Sequence, residues 1–187
     1  MNLSGFTDHK QLTVTDDIDR TTKEIGTLLA ECDVLIISGG ISVGKYDFVK
    51  EALEKNGVDE VFYKIKQKPG KPMFFGIKSE KLIFALPGNP ASLLVCFYEY
   101  VLPALNKLIG KSLPPVVLEK TLIKDIKFGG MRPEFYRGSY KDDEVHVLEG
   151  QSSFMLKSFA EANCLIYIHG EKRTLLKGEK VEVHPIY

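Results

Sequence analysis

The apolar positions near the start of the chain follow two different periods. Leu12-Thr13-Val14 predicts a short edge strand. Helical spacing follows from Ile18 to Cys32, with Asp16 or Asp17 available as the N-cap. An uninterrupted apolar run over 34–37 then predicts a strand of the kind that is buried on both faces of a parallel sheet.

This apolar run stops at Ser38-Gly39-Gly40, and the small residues Ser42 and Gly44 precede a helical pattern that begins near Phe48. A glycine-rich loop lets backbone N–H groups approach a phosphate, because no Cβ stands in the way. The loop lacks the Gly-Lys-Ser/Thr ending of a P-loop and the GxGxxG spacing of a dinucleotide site. Two interpretations remain open, a tight strand-to-helix turn and an anion-binding loop.

Polar and apolar residues alternate from Glu60 to Gln67, which predicts a strand with one polar face. Lys64 and Lys66 share that face, and Lys68 continues the same parity. The strand ends in the rigid segment Lys68-Pro69-Gly70-Lys71-Pro72. Lysines of this kind are typical of a solvated edge strand. They are also typical of an oxyanion site, in which cations are held beside proline turns.

Two further strands are predicted over 73–77 and 82–86, joined by a polar turn near Ser79-Glu80. The second strand ends at Leu86-Pro87-Gly88-Asn89-Pro90, where Asn89 can cap a helix and Pro90 fits its first position. Loops at the carboxyl ends of parallel strands share one edge of a sheet. We therefore expect this junction to lie beside the glycine loop.

A helical pattern runs from Pro90 to Leu108, with Pro103 predicted to interrupt it, and residues 110–115 form the best domain boundary. Short β-type runs and turns after that boundary predict a small β-barrel or sandwich, with a short helix over 153–162. The predicted fold is α/β. A partial doubly wound, mostly parallel sheet occupies residues 1–112, and an all-β barrel-like domain occupies 113–187.

The composition excludes several classes of protein. With 25 basic and 25 acidic residues the net charge is +0, which argues against non-specific nucleic-acid binding. The three cysteines lack CxxC spacing and are typical of reduced core residues in a cytoplasmic protein. No apolar run reaches membrane-spanning length, so we expect no membrane association.

Two carboxylates and two arginines are further candidate functional residues. Asp16 and Asp47 each lie at a strand-to-helix junction, where they fit either helix capping or a Mg²⁺ site. Arg132 and Arg137 lie five residues apart. Each is either a solvated surface residue or a ligand for a tetrahedral oxyanion.

Five segments occur in a characteristic order: SGGISVGKYD, KPGKP, LPGNPAS, RPEFYR and QSS followed by AEAN. From about Leu12 onward they resemble the molybdopterin molybdenumtransferases. These enzymes are the molybdenum insertases, which are related to the C-terminal enzyme domain of gephyrin. The resemblance implies a reaction that takes adenylyl-molybdopterin and molybdate and releases AMP and molybdenum cofactor, with Mg²⁺. It also implies small-molecule substrates and a homodimer in full-length members.

The resemblance assigns roles to individual residues. It implies that Asp16 and Asp47 act at the adenylate and metal end, and that Lys64 and Lys68 act near the phosphates. The pterin- and phosphate-side loops would consist of Gly39, Gly40, Ser42, Gly44, Pro87, Gly88 and Asn89. The molybdate pocket would consist of Lys71, Pro72, Ser92, Arg132 and Ser153.

The sequence departs from the family pattern in two ways. Lys45 occupies a position that is often acidic in the family. The family's N-terminal pair of domains and the start of its α/β domain have no counterpart, so we expect this sequence to be a piece of a longer chain.

The alternative to an enzyme is a catalytically incomplete molybdopterin-binding fragment or scaffold module. An adenylyltransferase-like role is disfavoured by the KPGKP segment and by the predicted barrel.

Overall fold

The structure, a computed structural model, describes residues 5–41, 48–111 and 116–186. The chain divides into two compact units. The first unit comprises Met1–Tyr63 and Pro72–Gly88, and the second comprises Lys64–Lys71 and Asn89–Tyr187. The predicted boundary between residues 112 and 113 falls outside the described residues and stays a prediction.

The described part of the first unit consists of helices and a four-stranded sheet. In chain order the elements are α1 (Ile18–Glu31), β1 (Val34–Ser38), α2 (Phe48–Lys55), β2 (Asp59–Tyr63), β3 (Phe74–Lys78) and β4 (Lys81–Leu86). Asp17 is the N-cap of α1, and its side chain accepts a hydrogen bond from the Arg20 N–H at 2.7 Å. Ile25 of α1 and Leu53 of α2 are buried in one apolar cluster with Phe74 of the sheet, which holds the helices against the strands.

The sheet has the order β1-β4-β3-β2 and is mixed. Only the β1–β4 pair is parallel among its described pairings, so the prediction of a mostly parallel sheet is wrong for these strands. The reason is the short connection at Ser79-Glu80, because a tight hairpin turn joins only antiparallel strands. The predicted strand at Leu12–Val14 is also wrong, since these residues pair with no strand in the described part of the chain.

The helical stretch of the second unit changes its winding between Pro90 and Leu108. Helix α3 (Pro90–Cys96) passes into a π-helical turn (Phe97–Val101) and then into α4 (Leu102–Leu108). Pro103 has no N–H to give to the carbonyl four residues earlier, and the π-turn lies directly before it. The predicted interruption at Pro103 is therefore confirmed.

The C-terminal part of the second unit forms a closed barrel with the strand order β11-β5-β8-β7-β9. The elements are β5 (Leu118–Leu122), β6 (Ile126–Phe128), β7 (Glu134–Lys141), β8 (Glu144–Val147), α5 (Lys157–Glu161), β9 (Cys164–Ile168), β10 (Arg173–Leu175) and β11 (Lys180–Pro185). Val145, Ile166 and Val183 are buried in its core. The predicted small barrel is confirmed, whereas the β6–β10 pair was not predicted.

Helix α3 packs on this barrel through Ala91 and Val95, which share an apolar cluster with Phe135 and Leu165. Cys32, Cys96 and Cys164 are free thiols, as expected. Within the described ranges, no helix has both the length and the apolar character that a membrane crossing requires.

Candidate functional site

Two glycine-bearing loops meet at one edge of the sheet in the first unit. Strands β1 and β4 are parallel and in register, with Ser38 opposite Leu86. The Gly39 N–H donates to the Leu86 carbonyl at 3.1 Å. A Cβ added to Gly88 would lie 3.5 Å from the Gly39 Cα, so the two backbones nearly touch. The predicted adjacency of these loops is therefore confirmed.

The first of these loops depends on glycine for its shape. Gly39 and Gly40 have φ values of +87° and +64°, a region that L-residues with a side chain rarely adopt. A Cβ on Gly40 would lie only 2.7 Å from Cγ2 of Val49, at the start of α2. The chain leaves β1 with a bare backbone, as an anion-binding loop requires. Ser42, Gly44 and Asp47 lie outside the described residues, as does Lys45.

Of the two aspartates before α1, Asp17 is the cap, and Asp16 is exposed and takes no part in it. The described residues contain no group of three or more His, Cys, Asp or Glu side chains that could hold a metal ion. Asp16 is the member of the predicted metal-binding pair that the structure describes, and its role there stays a prediction. The other, Asp47, lies outside the described ranges.

Residues 64–71 form a closed loop, which we call the lysine loop. Strand β2 ends at Tyr63, and Lys64 has a φ of +66° that turns the chain out of the extended conformation. The Ile65 N–H donates to the Lys71 carbonyl at 3.0 Å and closes the loop. The prediction that Lys64, Lys66 and Lys68 share one face of a strand is therefore wrong.

Buried side chains anchor the lysine loop. Gln67 is 3% exposed; its amide Nε2 donates to the Pro69 carbonyl at 2.9 Å, and its Oε1 accepts from the Tyr100 hydroxyl. The Cys96 thiol donates to the Gly70 carbonyl at 3.6 Å. Burial raises the pKa of Cys96 to about 12 and also raises the pKa of Tyr100, so both groups stay protonated as donors near neutral pH.

Lys68 joins the lysine loop to the start of β7. Its N–H donates to the Pro133 carbonyl at 2.9 Å, and its carbonyl accepts from the Phe135 N–H at 2.8 Å. Its ammonium lies 3.0 Å from Glu134, whose side chain is 10% exposed. Lys68 therefore neutralises a nearly buried carboxylate, while its own exposed position leaves it in contact with solvent.

Arg132, directly before this junction, lines a cavity of about 390 Å³. Lys66 lines the same cavity, together with Tyr167 and His169. The cavity thus has two cationic side chains on its walls. A groove of this kind is suited to anions.

Main-chain contacts bring three of the five residues assigned to the molybdate pocket, Lys71, Ser92 and Ser153, near one another. Ser92 is a buried residue of α3, and a Cβ on Gly70 would lie 3.5 Å from its carbonyl oxygen. Lys71 follows Gly70 directly and is exposed. On the other side, the Ala91 N–H donates to the Ser153 carbonyl at 3.1 Å. Lys71, Ser92 and Ser153 therefore lie in one neighbourhood of the second unit.

Arg137 matches neither of its two interpretations, a solvated surface residue and a ligand for an oxyanion. It is 0% exposed, so it is not a solvated surface residue. Its guanidinium donates to Gly150, Ser152 and Ser158, so its donors face the protein interior. Of the two arginines in RPEFYR, only Arg132 reaches an open cavity.

The sequence did not predict the burial of Gln67, Glu134 and Arg137, or the hydrogen bonds that half-buried Gln151 forms with Arg137. The signal that could have found Arg137 is its place in the middle of a strand. A charged residue in mid-strand of a small barrel is either on the outer face or buried for a reason.

Two family descriptions match the chain. Residues 1–107 match the family described as "Probable molybdopterin binding domain". Residues 121–186 match the family described as "MoeA C-terminal region (domain IV)".

Curated relatives are named for the same process. The molybdopterin molybdenumtransferase of Haemophilus influenzae is 37% identical over 163 residues, which cover 83% of this chain and 40% of the relative. The Drosophila melanogaster molybdenum cofactor synthesis protein cinnamon is 36% identical over 169 residues, which cover 87% of this chain and 28% of the relative. The chain spans less than half the length of these curated relatives.

Solved structures share the fold. A molybdopterin biosynthesis MoeA protein from Pyrococcus horikoshii superposes with a TM-score of 0.75 at 26% identity, over 92% of this chain and 42% of that one. A molybdenum cofactor biosynthesis protein from Pyrococcus furiosus gives a TM-score of 0.73 at 25% identity, over 92% of this chain and 56% of that one. With the molybdopterin-binding domain, the C-terminal domain and these relatives in agreement, the chain belongs to the MoeA family of molybdopterin molybdenumtransferases.

Proposed function

We propose that this chain acts in molybdenum cofactor biosynthesis as a transferase that inserts molybdate into adenylyl-molybdopterin and releases AMP. The observation that carries the proposal is the neighbourhood of Lys71, Ser92 and Ser153 in the second unit. These residue types are suited to a tetrahedral oxyanion. Membership of the MoeA family supports the choice of molybdate as that oxyanion.

Molybdate is a tetrahedral dianion, and binding it requires donors that replace its hydration shell. The ammonium of Lys71 and the guanidinium of Arg132 supply charge-assisted donors. The hydroxyls of Ser92 and Ser153 supply directional neutral donors. Pro72 stiffens the chain after Lys71, so less conformational freedom is lost on binding.

The glycine loops are proposed to bind the pterin and phosphate side of adenylyl-molybdopterin. The bare backbone at Gly39, Gly40 and Gly88 supports this role, because it allows close approach of a phosphate. The remaining residues proposed for these loops are Ser42, Gly44, Pro87 and Asn89.

Lys64 and Lys68 are proposed to lower the charge of the phosphates and so to favour departure of AMP. Asp16 and Asp47 are the carboxylates that would hold Mg²⁺, which when bound would neutralise further phosphate charge. The Lys68 ammonium is held 3.0 Å from Glu134, and the Lys68 side chain stays 55% exposed, so it remains accessible from solvent, which supports this role.

The proposal is tested by incubating the chain with adenylyl-molybdopterin, molybdate and Mg²⁺ and measuring AMP release by chromatography. The longer Haemophilus influenzae relative serves as the positive control. Molybdate-dependent AMP release above the rate without protein is the expected result. Binding of adenylyl-molybdopterin without release would instead identify the chain as a catalytically incomplete binding module.

The molybdate site has its own test in Lys71→Ala. Removal of one charge-assisted donor should weaken molybdate binding about tenfold and leave adenylyl-molybdopterin binding nearly unchanged. Isothermal titration with each ligand gives both affinities. Lys107→Ala, at an exposed lysine of α4, is the matched control and should change neither. Equal loss of both affinities in Lys71→Ala would contradict the assigned pocket.

A further inference from the structure

Arg137 is fully buried on β7 and binds one loop with its side chain. Its Nη2 donates to the carbonyls of Gly150 at 2.7 Å and Ser152 at 3.1 Å, and its Nε donates to the Ser158 hydroxyl at 3.0 Å. The Ser158 hydroxyl in turn donates to Gly150 at 3.0 Å. We call residues 150–153 the serine loop, because it carries Ser152 and Ser153.

The backbone of Arg137 binds the same loop. Its N–H donates to Oε1 of Gln151 at 3.0 Å, and its carbonyl accepts from Nε2 of Gln151 at 2.9 Å. The Gln151 amide thus pairs with Arg137 as a neighbouring strand would. Side chain and backbone of one residue therefore fix the serine loop on β7.

The charge of Arg137 is not balanced within the described part of the chain. No carboxylate there forms an ion pair with it, and its Nη1 is buried without a hydrogen-bond partner. The guanidinium instead lies 5.5 Å from the centre of the Phe159 ring. A buried cation without a counter-ion is unfavourable for folding, so an apolar residue here would be less costly. Such a charge is explained if an anion binds nearby.

The hydrogen bonds to Arg137 also determine which groups the serine loop presents on its other side. In a planar trans peptide, the C=O and the following N–H point in opposite directions. The Ser152 carbonyl points at Arg137, so the Ser153 N–H points away from it. The Gly150 carbonyl likewise directs the Gln151 N–H away. Because the carbonyl oxygens are turned inward, the outer side of the loop offers donors, as an oxyanion requires.

The serine loop is also joined to α3. The Ser153 carbonyl accepts from the Ala91 N–H at 3.1 Å, directly before Ser92. Whatever fixes the serine loop therefore fixes Ser153 relative to Ser92.

We propose that Arg137 is a positioning residue of the molybdate site: it turns carbonyl oxygens away from the anion at Ser153, and its unbalanced charge favours a dianion over a monoanion. This inference rests on the molybdate pocket proposed above and adds a residue that makes no contact with the ligand.

The test compares molybdate with perrhenate, a tetrahedral oxyanion of similar shape that carries one charge instead of two. Both are titrated into the wild-type chain and into Arg137→Met. Loss of the buried charge should weaken molybdate binding about tenfold but perrhenate binding by less than about threefold. Arg137→Lys keeps the charge but loses the planar guanidinium and its several N–H donors. It should therefore retain most of the preference for molybdate.

A double variant tests whether Arg137 acts through Ser153. Ser153→Ala should weaken molybdate binding, and adding Arg137→Met should weaken it further by less than about threefold, since coupled residues are not additive. Val145→Ala is the control for general destabilisation, because Val145 is fully buried in the barrel core. It should lower the melting temperature and leave the anion affinities unchanged.

The outcomes separate the inference from the function on which it rests. Wild-type molybdate affinity in Arg137→Met, with loss in Ser153→Ala, would overturn the inference and leave the pocket intact. Equal weakening of both anions in Arg137→Met would also overturn it, since the role would then be structural only. Absence of molybdate binding by the wild-type chain would overturn the pocket and the inference together. If Arg137→Met does not fold, Arg137→Gln, which also removes the charge but keeps a hydrogen-bond donor, carries the same comparison.

Discussion

The glycine loops of the first unit and the lysine loop of the second are held in place by different interactions. The glycine loops are joined by a main-chain hydrogen bond, from the Gly39 N–H to the Leu86 carbonyl. The lysine loop also has main-chain hydrogen bonds, but buried side chains anchor it in addition, since its own Gln67 is buried and bound to Tyr100. Strand register sets the position of the glycine loops, whereas a few buried polar side chains anchor the lysine loop.

This difference affects how each region tolerates change. Main-chain contacts at the glycine loops depend on small residues and are indifferent to most side chains nearby. Buried polar contacts at the lysine loop depend on complete hydrogen bonding, because an unpaired buried donor or acceptor is strongly unfavourable. We therefore expect the lysine loop to be the more sensitive region.

The largest effect is expected for Gly70→Ala in the lysine loop. Gly70 has a φ of +96°, and an added Cβ would lie 2.6 Å from the Cys96 Sγ and 2.8 Å from Nε2 of Gln67. Backbone strain and displacement of a buried network should together lower the free energy of unfolding by about 3 kcal/mol. Chemical denaturation monitored by circular dichroism measures this value.

Gly178→Ala provides the matched control for Gly70→Ala. Gly178 has a similar φ of +92°, but an added Cβ there would meet nothing within 4 Å. Only the cost of placing an alanine at a positive φ should remain, so the free energy of unfolding should fall by about 1 kcal/mol. Equal losses in the two variants would show that the packing around Gln67 contributes nothing, and the contrast between the loops would fail.

A smaller effect is expected at the glycine loops. Gly40→Ala combines a φ of +64° with a Cβ 2.7 Å from Cγ2 of Val49, a side chain that can shift. We expect a loss of about 2 kcal/mol in unfolding free energy, measured in the same way. Gly39→Ala has a φ of +87° and open space, so it should lose only about 1 kcal/mol. In a double-mutant cycle, Gly40→Ala should cost less in a Val49→Ala background than in the wild-type chain, and an equal cost in both would contradict the close approach.

The glycine loops could be predicted from the sequence because their cause is periodic. Apolar runs that end in glycine identified β1 and β4, and parallel pairing then required their loops to lie together. The barrel could be predicted for a similar reason, since short β-type runs alternate with turns. The strand directions of the sheet were predicted wrongly, since the two-residue connection at Ser79-Glu80 requires an antiparallel β3–β4 pair.

The lysine loop could not be predicted in the same way. The alternation across Lys64, Lys66 and Lys68 has the period of a strand, yet β2 ends at Tyr63, before the first of these lysines, where Lys64 takes a positive φ. Gln67 and Arg137 are polar residues whose burial depends on partners far along the chain, such as Tyr100 and Gly150. No local pattern carries that information, because the partners are set by tertiary structure.

A charge network distinguishes the second unit further. His184 on β11 has a side chain that is 17% exposed; Nδ1 lies 2.8 Å from Glu99 and Nε2 lies 2.8 Å from Glu182. Both ring nitrogens face carboxylates, so both can donate a hydrogen bond only when both carry a proton. Burial lowers the pKa of His184, but the hydrogen bonds and charges of Glu99 and Glu182 outweigh it and raise the pKa above 6.5. Glu99 belongs to the π-helical turn that also carries Tyr100.

The smallest expected effect is therefore a pH dependence of stability that originates in the second unit. Because the folded-state pKa of His184 is raised, its stabilising contribution is complete below the unfolded value of about 6.5 and is lost as the pH rises through the folded value. Urea denaturation at a series of pH values from about 6 upward should show this decline, and an NMR titration of His184 should give a midpoint above 6.5. Glu99→Gln should lower that midpoint more than Glu182→Gln, because the Glu99 side chain is 12% exposed and that of Glu182 is 41% exposed. A midpoint at or below 6.5 in the wild-type chain would show that burial outweighs the two carboxylates, and His184 would then contribute no such decline.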